Sequence, residues 1–345
     1  MSGAFFVSMA SEQTQFGKIA VVGCGAVGSF YGSRLAQSGQ KVHFLLRSDF
    51  EAVAKNGLQI QSVDGDYTLQ PSIARSPGEI GECDLVLIAL KSTANHRFAE
   101  LLTPLVGEQT ALFTLQNGLG NEAALASLFP GRPVFGGMCF VCLNRTAPGF
   151  IHHIAHGKIV MGRHGGPPDA LTERLAELIR GSGIPVDISP DLERAHWEKL
   201  IWNIPFNGLG VAGAAGLETV HAGKLTPGQS ISPCLATDSL LDEGPWERLI
   251  TELMDEVIAA GRAQGHDLSP GLGQYQRDRT RVMGAYRAST LIDFENARPL
   301  ELEALFRKPL AAARAAGVDT PRLAKLCTVL EQLVAEQKNS VINVN

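Results

Sequence analysis

Short apolar runs alternate with amphipathic stretches through the first half of the chain, which predicts strands followed by helices. The runs cover residues 18–22, 41–46, 84–90 and 110–115. Their near-continuous hydrophobicity is typical of parallel strands that are covered on both faces. The alternation over residues 17–188 therefore predicts a doubly wound α/β sheet.

The pattern changes after Pro190, where apolar residues recur at helical spacing. The clearest stretch, residues 246–264, ends at Gly265, a favourable residue after a helix. The change predicts two domains, an α/β domain over residues 17–188 and an all-α domain over residues 189–338. Residues 217–245, rich in Pro and Gly, give no clear prediction.

The first 16 residues are interpreted as a loose extension. They lack the basic start and the longer apolar core of a secretory signal. The chain also has no apolar run of the ~18 residues that a membrane span needs. The predicted location is therefore the cytoplasm.

Charge and cysteine content narrow the class of protein further. A net charge of -5 provides no electrostatic attraction for nucleic acid or an anionic membrane, so neither is an expected partner. Six cysteines without framework spacing indicate reduced thiols. Cys139 and Cys142 form a lone C-x-x-C, which favours thiols buried in a strand over a zinc site. His152, His153 and His156 lie in a predicted strand and turn, so no metal is expected.

A glycine-rich loop directly follows the first predicted strand. It reads Gly23, Cys24, Gly25, Ala26, Val27, Gly28 and opens a predicted helix. In this context Gly23 permits a tight turn, Gly25 lets the backbone approach a pyrophosphate, and Gly28 lets helix and strand pack closely. The alternative is a glycine-rich turn without a ligand.

The end of the second predicted strand distinguishes NAD from NADP. An acidic residue usually binds the ribose 2′-hydroxyl there, but this chain has Arg47. A guanidinium can bind a 2′-phosphate with two hydrogen bonds, which predicts NADP(H). A solvated surface arginine is the alternative. Asp49 and Glu51 come too late to replace the acid.

Two more polar groups follow predicted strands. Lys91 comes after the run 84–90, and Asn117 after the run 110–115. Ligands of open α/β sheets bind beyond the carboxyl ends of the strands, which favours a functional role for both. An exposed loop lysine and an Asn-Gly turn are the alternatives.

The helical half opens with a polar stripe. Lys199, Asn203 and Asn207 are each four residues apart, so they share one face of a helix, about 6 Å between successive members. Amides within such an apolar run are costly without polar partners, which favours a site over a surface stripe. A lysine ammonium can polarise a ketone and then donate a proton. Pro205 is expected to kink or locally disrupt this helix.

These residues carry a resemblance to a known family. The segment W-E-K-L-I-W-N-I-P-F-N at residues 197–207 resembles the signature of ketopantoate reductases. The resemblance spans residues 18 to about 325. Further matching positions are the glycine loop 23–28, Arg47, Lys91, the Gln-Asn-Gly at 116–118, the S-T-L-I-D at 289–293 and the R-P-L-E-L-E at 298–303.

The resemblance implies a Rossmann domain followed by a helical domain like that of 6-phosphogluconate dehydrogenase, with the site in the cleft between them. It implies NADPH-dependent reduction of 2-dehydropantoate to pantoate, as in pantothenate and coenzyme A biosynthesis. It also implies roles by position: Lys199 as general acid, Glu301 at the substrate hydroxyl and in proton transfer, Asn203, Asn207 and Ser289 at the substrate, Asn117 near the reacting centre, and Lys91 at the cofactor.

One departure and several alternatives remain. Arg307 stands where the family usually has a glycine, which bears on the substrate more than on the reaction. The alternatives are a reductase of another branched 2-oxo acid or of an imine, and an NADPH sensor without chemistry. The expected partner is a small 2-oxo acid, with a homodimer as a candidate assembly.

Overall fold

A computed structural model describes residues 16–226 and 228–342, the last three of these without their side chains. The chain forms two compact units. The first holds the described residues through Asn117 and those from Asn121 to Leu192; the second holds Gly118–Gly120 and the described residues from Glu193 onward. The predicted boundary lies beside this break, and Gly118–Gly120 lie inside the predicted first domain.

The predicted N-terminal extension lies almost entirely outside the described residues. Its last residue, Phe16, is buried, and the Arg174 guanidinium lies 4.5 Å from the centre of its ring. Phe16 is therefore part of the core of the first unit, not of a loose extension.

The first unit contains one ten-stranded sheet in the order β4-β3-β9-β8-β7-β6-β1-β2-β5, with β10 paired to β9. Successive residues of β1 alternate between two apolar clusters, one on each face of the sheet. The prediction of parallel strands covered on both faces is thus confirmed. The strands are β1 Ile19–Val22, β2 Val42–Leu45, β3 Leu58–Ser62, β4 Tyr67–Leu69, β5 Ser72–Ala74, β6 Cys83–Ile88, β7 Val106–Thr114, β8 Val134–Ala147, β9 Phe150–Arg163 and β10 Val186–Ile188.

Helices lie between most pairs of consecutive strands, as expected where parallel strands need crossover connections. Short 3₁₀ turns flank one of them, at Ser92–Arg97 and Thr103–Leu105. The helices are α1 Ala26–Gln37, α2 Phe50–Asn56, α3 Pro77–Ile80, α4 Phe98–Leu102, α5 Asn121–Leu128 and α6 Ala170–Gly181.

The sheet is mixed, because antiparallel pairs extend its parallel part. β8 and β9 pair antiparallel along most of their length, and β3 pairs antiparallel with β4. Only two residues, Pro148 and Gly149, join β8 to β9, and so short a turn can connect only antiparallel strands. The predicted turn near Gly157 is an irregularity within β9, where His156 and Gly157 have positive φ angles.

The second unit is helical. Its core joins buried residues from most of its helices into one cluster. A 3₁₀ turn covers Gly213–Ala215, and a π-helix covers Glu303–Arg307. The helices are α7 Leu192–Ala212, α8 Leu217–Ala222, α9 Thr237–Leu240, α10 Pro245–Ala263, α11 Leu272–Arg281, α12 Ser289–Glu295, α13 Lys308–Ala315 and α14 Pro321–Ile342.

Pro205 does not end the polar-stripe helix, and a kink at this position stays a prediction. α7 continues through Pro205 to Ala212. Ile204 and Phe206 on either side of it are at most 1% exposed. Tertiary packing of this kind routinely overrides a local propensity, so burial offsets the missing N–H donor.

The cysteines agree with the prediction of free thiols. Cys139 and Cys142 both lie on β8; Cys142 is buried, whereas Cys139 is half-buried. All six cysteines fall within the described residues, and all six are free of disulfides. Among the helices described, none is both long and apolar enough to cross a bilayer.

Candidate active site

Four neighbouring parallel strands end in register at one edge of the sheet. The order is β7-β6-β1-β2, and the paired terminal residues are Thr114, Ile88, Val22 and Leu45. The glycine loop follows β1, Arg47 follows β2, Lys91 follows β6 and Asn117 follows β7. The first-unit residues expected at a cofactor site therefore share one edge, about 14 Å wide at the usual strand spacing.

The chain order reverses between β1 and β6, which makes this a topological switch point, the usual ligand site of such sheets. Gly23, with φ +96°, lies so close to β6 that a Cβ would stand 2.3 Å from the backbone nitrogen of Leu90. A Cβ on Gly28 would stand 2.3 Å from the Gly23 carbonyl oxygen. Both glycines are thus required by the fold itself.

Gly25 is different. Apart from Gly25 itself and its chain neighbours, no described residue has an atom within 4 Å of the position of its missing Cβ, and its φ of -77° is open to any residue. The fold therefore does not require glycine there, whereas a ligand that approaches the backbone would.

The start of α1 fits an anion. Gly25 is the N-cap, and within the described residues no side chain caps this end and no acidic residue lies in its first turn. Free N–H groups and the positive end of the helix dipole would then face a pyrophosphate. The loop 23–28 therefore has the structure that a dinucleotide phosphate needs.

Arg47 and Lys91 are both exposed at this edge. Lys91 is the N-cap residue of the 3₁₀ turn after β6. Asp49, two residues after Arg47, is 5% exposed and accepts hydrogen bonds from Arg145 and from the Gly149 N–H. It is thus engaged within the protein, in line with the reading that it does not replace the acid of an NAD site.

A network of amides holds the loop that carries Asn117. Gln116 Nε2 donates to Asn95 Oδ1 at 2.7 Å, and Asn95 Nδ2 donates to Asn121 Oδ1 at 2.8 Å. Asn121 Nδ2 in turn donates to the Asn117 carbonyl oxygen at 3.1 Å. The loop conformation is therefore fixed by side chains from three segments, and the sequence showed only Gln116 and Asn117 of this set.

In the second unit, α7 carries the predicted polar stripe. Lys199 is half-buried, while Asn203 and Asn207 are only 6% and 3% exposed. Asn207 Nδ2 lies 3.4 Å from Asn203 Oδ1. The stripe is thus a buried feature and not a solvated surface.

The N-terminus of α12 meets this stripe. The backbone N–H of Thr290 donates to Asn207 Oδ1 at 3.1 Å, and the Ser289 hydroxyl lies 3.4 Å from the same oxygen. The structure therefore brings Asn203, Asn207 and Ser289 together. The role of the Thr290 N–H was not visible in the sequence, because a backbone donor has no residue signal.

Asn203 keeps donor capacity. No hydrogen bond joins its Nδ2 to another of the described residues, although the residue is nearly buried. These donors belong to a side chain that is nearly buried within an apolar helix, so a group from outside the protein is a natural acceptor.

Glu301 belongs to the same unit and is 5% exposed. It lies two residues before the π-helix Glu303–Arg307, an element often found at functional sites. A buried glutamate this close to a π-helix is a candidate for a binding or catalytic role.

One member of the histidine cluster, His153, is engaged within the protein. His153 is fully buried; its Nε2 lies 2.8 Å from the His156 carbonyl oxygen and its Nδ1 2.8 Å from the Ser62 hydroxyl. A carbonyl only accepts, so Nε2 carries the proton and Nδ1 accepts from Ser62. The lone pair that a metal would need is therefore occupied.

Comparisons with known proteins agree over nearly the whole chain. The family models "Ketopantoate reductase PanE/ApbA" and "Ketopantoate reductase PanE/ApbA C terminal" match residues 19–166 and 230–334. A 2-dehydropantoate 2-reductase of Nostoc sp. is 35% identical over 95% of this chain and 98% of its own. The chain belongs to the ketopantoate reductase family.

Solved structures support this membership. A 2-dehydropantoate 2-reductase of Geobacter metallireducens is 43% identical, with a TM-score of 0.83 over 91% of this chain and 99% of its own. That of Methylococcus capsulatus is 31% identical, with a TM-score of 0.79 over 93% and 97%. Membership confirms three predictions. They are the fold class, an oxidoreductase activity on a ketone, and NADP(H) as the cofactor that this family uses.

The departure at Arg307 concerns the surface of this ketopantoate reductase family member. Arg307 lies in the π-helix with about half of its side chain exposed, and its Nε donates to Glu331 at 2.6 Å. Its second partner is Glu303, at 3.7 Å. The arginine side chain is therefore engaged with surface carboxylates.

Proposed function

We propose that this protein reduces 2-dehydropantoate to pantoate with NADPH, using the sheet edge of the first unit for the cofactor and the polar stripe of α7 for the substrate. The observation that carries the proposal is the buried Asn203–Asn207 pair, which is built into an apolar helix beside Lys199. The reaction adds a hydride to the ketone carbon and a proton to its oxygen. The bound dinucleotide supplies the hydride.

The residues proposed to bind the cofactor are assigned from their positions at the ends of the strands. The open position at Gly25 and the free start of α1 suit the pyrophosphate. Arg47 at the end of β2 suits the 2′-phosphate of NADPH, because a guanidinium binds phosphate with two hydrogen bonds. Lys91 and Asn117 stand at the ends of the next strands along the edge, at the positions proposed for the cofactor and the reacting centre.

Lys199 is proposed as the general acid. Its ammonium first polarises the ketone and then donates a proton from Nζ to the oxygen as negative charge develops there. The half-buried position on α7 supports this role, since an ammonium acts more strongly where water is partly excluded.

The residues proposed to bind the substrate differ in whether they donate or accept hydrogen bonds. Asn203 Nδ2 offers donors that no described residue uses, which suits a carboxylate or carbonyl oxygen of the substrate. Asn207 and the Ser289 hydroxyl are proposed to complete this binding surface. Glu301 is proposed to accept a hydrogen bond from the substrate hydroxyl, a group that distinguishes 2-dehydropantoate from simpler branched 2-oxo acids.

The test is steady-state NADPH oxidation with 2-dehydropantoate by the wild type, Lys199→Ala and the control Lys224→Ala, an exposed lysine of the same unit. Loss of the general acid is expected to lower kcat by about 10²–10⁴-fold while NADPH still binds. Lys224→Ala should behave like the wild type. NADPH binding without turnover in the wild type would indicate a sensor, and turnover only with other oxo acids or imines would indicate a related reductase.

The cellular location and the assembly are also proposed. A cytoplasmic enzyme fits the free cysteines and the family's biosynthetic role. A homodimer is the candidate assembly, and sedimentation of the purified protein would test it.

A further inference from the structure

The loop between β2 and α2 holds an acidic residue beside the predicted phosphate-binding arginine. Arg47 and Ser48 are exposed, while Asp49 is 5% exposed. An acid near this position normally binds the ribose 2′-hydroxyl of NAD and repels the 2′-phosphate of NADP. A chain that uses NADPH therefore has to deal with the charge of Asp49.

Both carboxylate oxygens of Asp49 are occupied by the protein. Oδ1 accepts from the Ser48 hydroxyl at 2.8 Å and from Arg145 Nη2. Oδ2 accepts from Arg145 Nε at 2.7 Å and from the Gly149 N–H at 2.9 Å. Four hydrogen bonds fill the acceptor sites of a carboxylate, so none is left for a ribose hydroxyl.

These donors come from far along the chain. Arg145 lies on β8, 96 residues after Asp49, and Gly149 lies in the turn that follows this strand. The arginine binds in the two-pronged geometry that makes arginine–carboxylate pairs strong and specific. The tip of the β8–β9 hairpin thus holds the loop that carries Arg47.

Asp49 and Arg145 form an ion pair whose two charges compensate each other. Burial alone would raise the pKa of Asp49, but the hydrogen bonds from Arg145, the Gly149 N–H and Ser48, together with the charge of Arg145, outweigh it and hold that pKa below its usual range. The same contact raises the pKa of Arg145. Around neutral pH the carboxylate is therefore ionised and its charge is compensated by one guanidinium.

We infer that Arg145 is a positioning residue that sets the preference for NADPH over NADH, because it occupies and neutralises Asp49 beside the 2′-phosphate-binding Arg47. The inference rests on the proposed function in one respect, the placement of the cofactor 2′-phosphate at Arg47. It adds a residue on a distant hairpin that acts through Asp49 and needs no contact with the cofactor.

The first variant is Arg145→Gln, with the dissociation constants of NADPH and NADH measured separately. Removal of the guanidinium leaves an uncompensated negative charge near the phosphate, so NADPH should bind about five- to tenfold more weakly. NADH, which lacks the phosphate, should bind as well as before or better.

The second variant, Asp49→Asn, has the opposite charge effect in a side chain of the same shape. It removes the anion and leaves Arg145 in place, so the preference for NADPH should be kept or should increase. The double variant Asp49→Asn/Arg145→Gln should regain most of the preference lost in Arg145→Gln. If the Asp49–Arg145 contact only stabilised the loop, both single variants would bind NADPH and NADH more weakly by the same factor.

Arg163→Gln is the matched control, since Arg163 forms an ion pair with Asp169 in the same unit. It should leave the preference unchanged. Equal losses for NADPH and NADH in Arg145→Gln would overturn the inference. If that variant does not fold, a lower NADPH preference in Asp49→Asn would overturn it, and an unchanged or higher one would support it.

Arg47→Ala separates this inference from the proposed function. If Arg47→Ala leaves the NADPH preference unchanged, the assignment of the 2′-phosphate to Arg47 is wrong, and the inference fails with it. If Arg47→Ala abolishes the preference but Arg145→Gln does not alter it, only the inference about Arg145 fails.

Discussion

Asn207 and Asn203 form a pair of buried amides whose contacts differ enough to give opposite mutational results. Asn207 Oδ1 accepts the buried N–H of Thr290 at 3.1 Å, whereas the hydrogen bond recorded for Asn203 is the 3.4 Å contact with Asn207. We therefore expect Asn207→Ala to act mainly on stability and Asn203→Ala mainly on substrate binding.

The magnitude follows from these contacts. Asn207→Ala leaves the Thr290 N–H, in a residue only 3% exposed, without an acceptor, which costs about 1–3 kcal/mol. The space left behind adds about 1 kcal/mol, so the free energy of unfolding should fall by about 2–4 kcal/mol. Asn203→Ala leaves a similar space but loses only a long hydrogen bond, so it should cost about 1–2 kcal/mol.

Urea unfolding of both variants measures the difference, provided that the slope with denaturant stays unchanged. Both substitutions replace the same residue on the same helix, so the gain in helix propensity cancels. Steady-state kinetics should show a raised KM for Asn203→Ala. A stability loss in Asn203→Ala equal to or larger than that in Asn207→Ala would refute this division of roles.

Two further predictions concern the glycine loop and the thiols. Gly25→Ala should keep the stability of the wild type but weaken NADPH binding, whereas Gly28→Ala should lower stability, because its Cβ would stand 2.3 Å from the Gly23 carbonyl oxygen; thermal unfolding and coenzyme titration check this, and a stable Gly28→Ala would contradict it. Burial raises the pKa of Cys83 and of Cys234 to about 11, so alkylation by iodoacetamide should be slow at neutral pH and should accelerate as the pH rises toward that value. Rapid labelling of either thiol at pH 7, followed by mass spectrometry, would show that the thiol ionises more readily.

Local sequence patterns were sufficient to predict the strands of the first unit and the loops at their ends. The buried strands and the glycine loop carry their own patterns, and the placement of Arg47, Lys91 and Asn117 follows from the rule that ligands lie beyond the carboxyl ends of parallel strands. Because the four strand ends are in register, the residues that follow them lie along one edge of the sheet.

Long-range contacts could not be predicted in the same way. The Asp49–Arg145 pair joins residues 96 positions apart, and no local pattern marks either partner. The Thr290 N–H that anchors Asn207 is a backbone group. These contacts depend on how distant segments pack, which a single sequence does not record.

One local rule was overridden by packing, and one feature of the sheet was missed because strands were predicted singly. Pro205 lacks the donor that a helix interior needs, yet α7 continues because the residues around it are buried. The mixed sheet arises from the two-residue turn between β8 and β9, whose strands were each predicted without their partner.

The central claim is tested most directly by the specificity of NADPH oxidation for 2-dehydropantoate. The measurement is kcat/KM for 2-dehydropantoate and for its deoxy analogue 2-oxoisovalerate, with pantoate quantified as the product, in the wild type and in Glu301→Gln. We expect one pantoate per NADPH consumed and a wild-type preference for 2-dehydropantoate of at least roughly tenfold, because the analogue lacks the hydroxyl that is proposed to donate a hydrogen bond to Glu301. Glu301→Gln should lose most of this preference. A wild type that reduces the deoxy analogue better, or that leaves 2-dehydropantoate unreduced, would contradict the account.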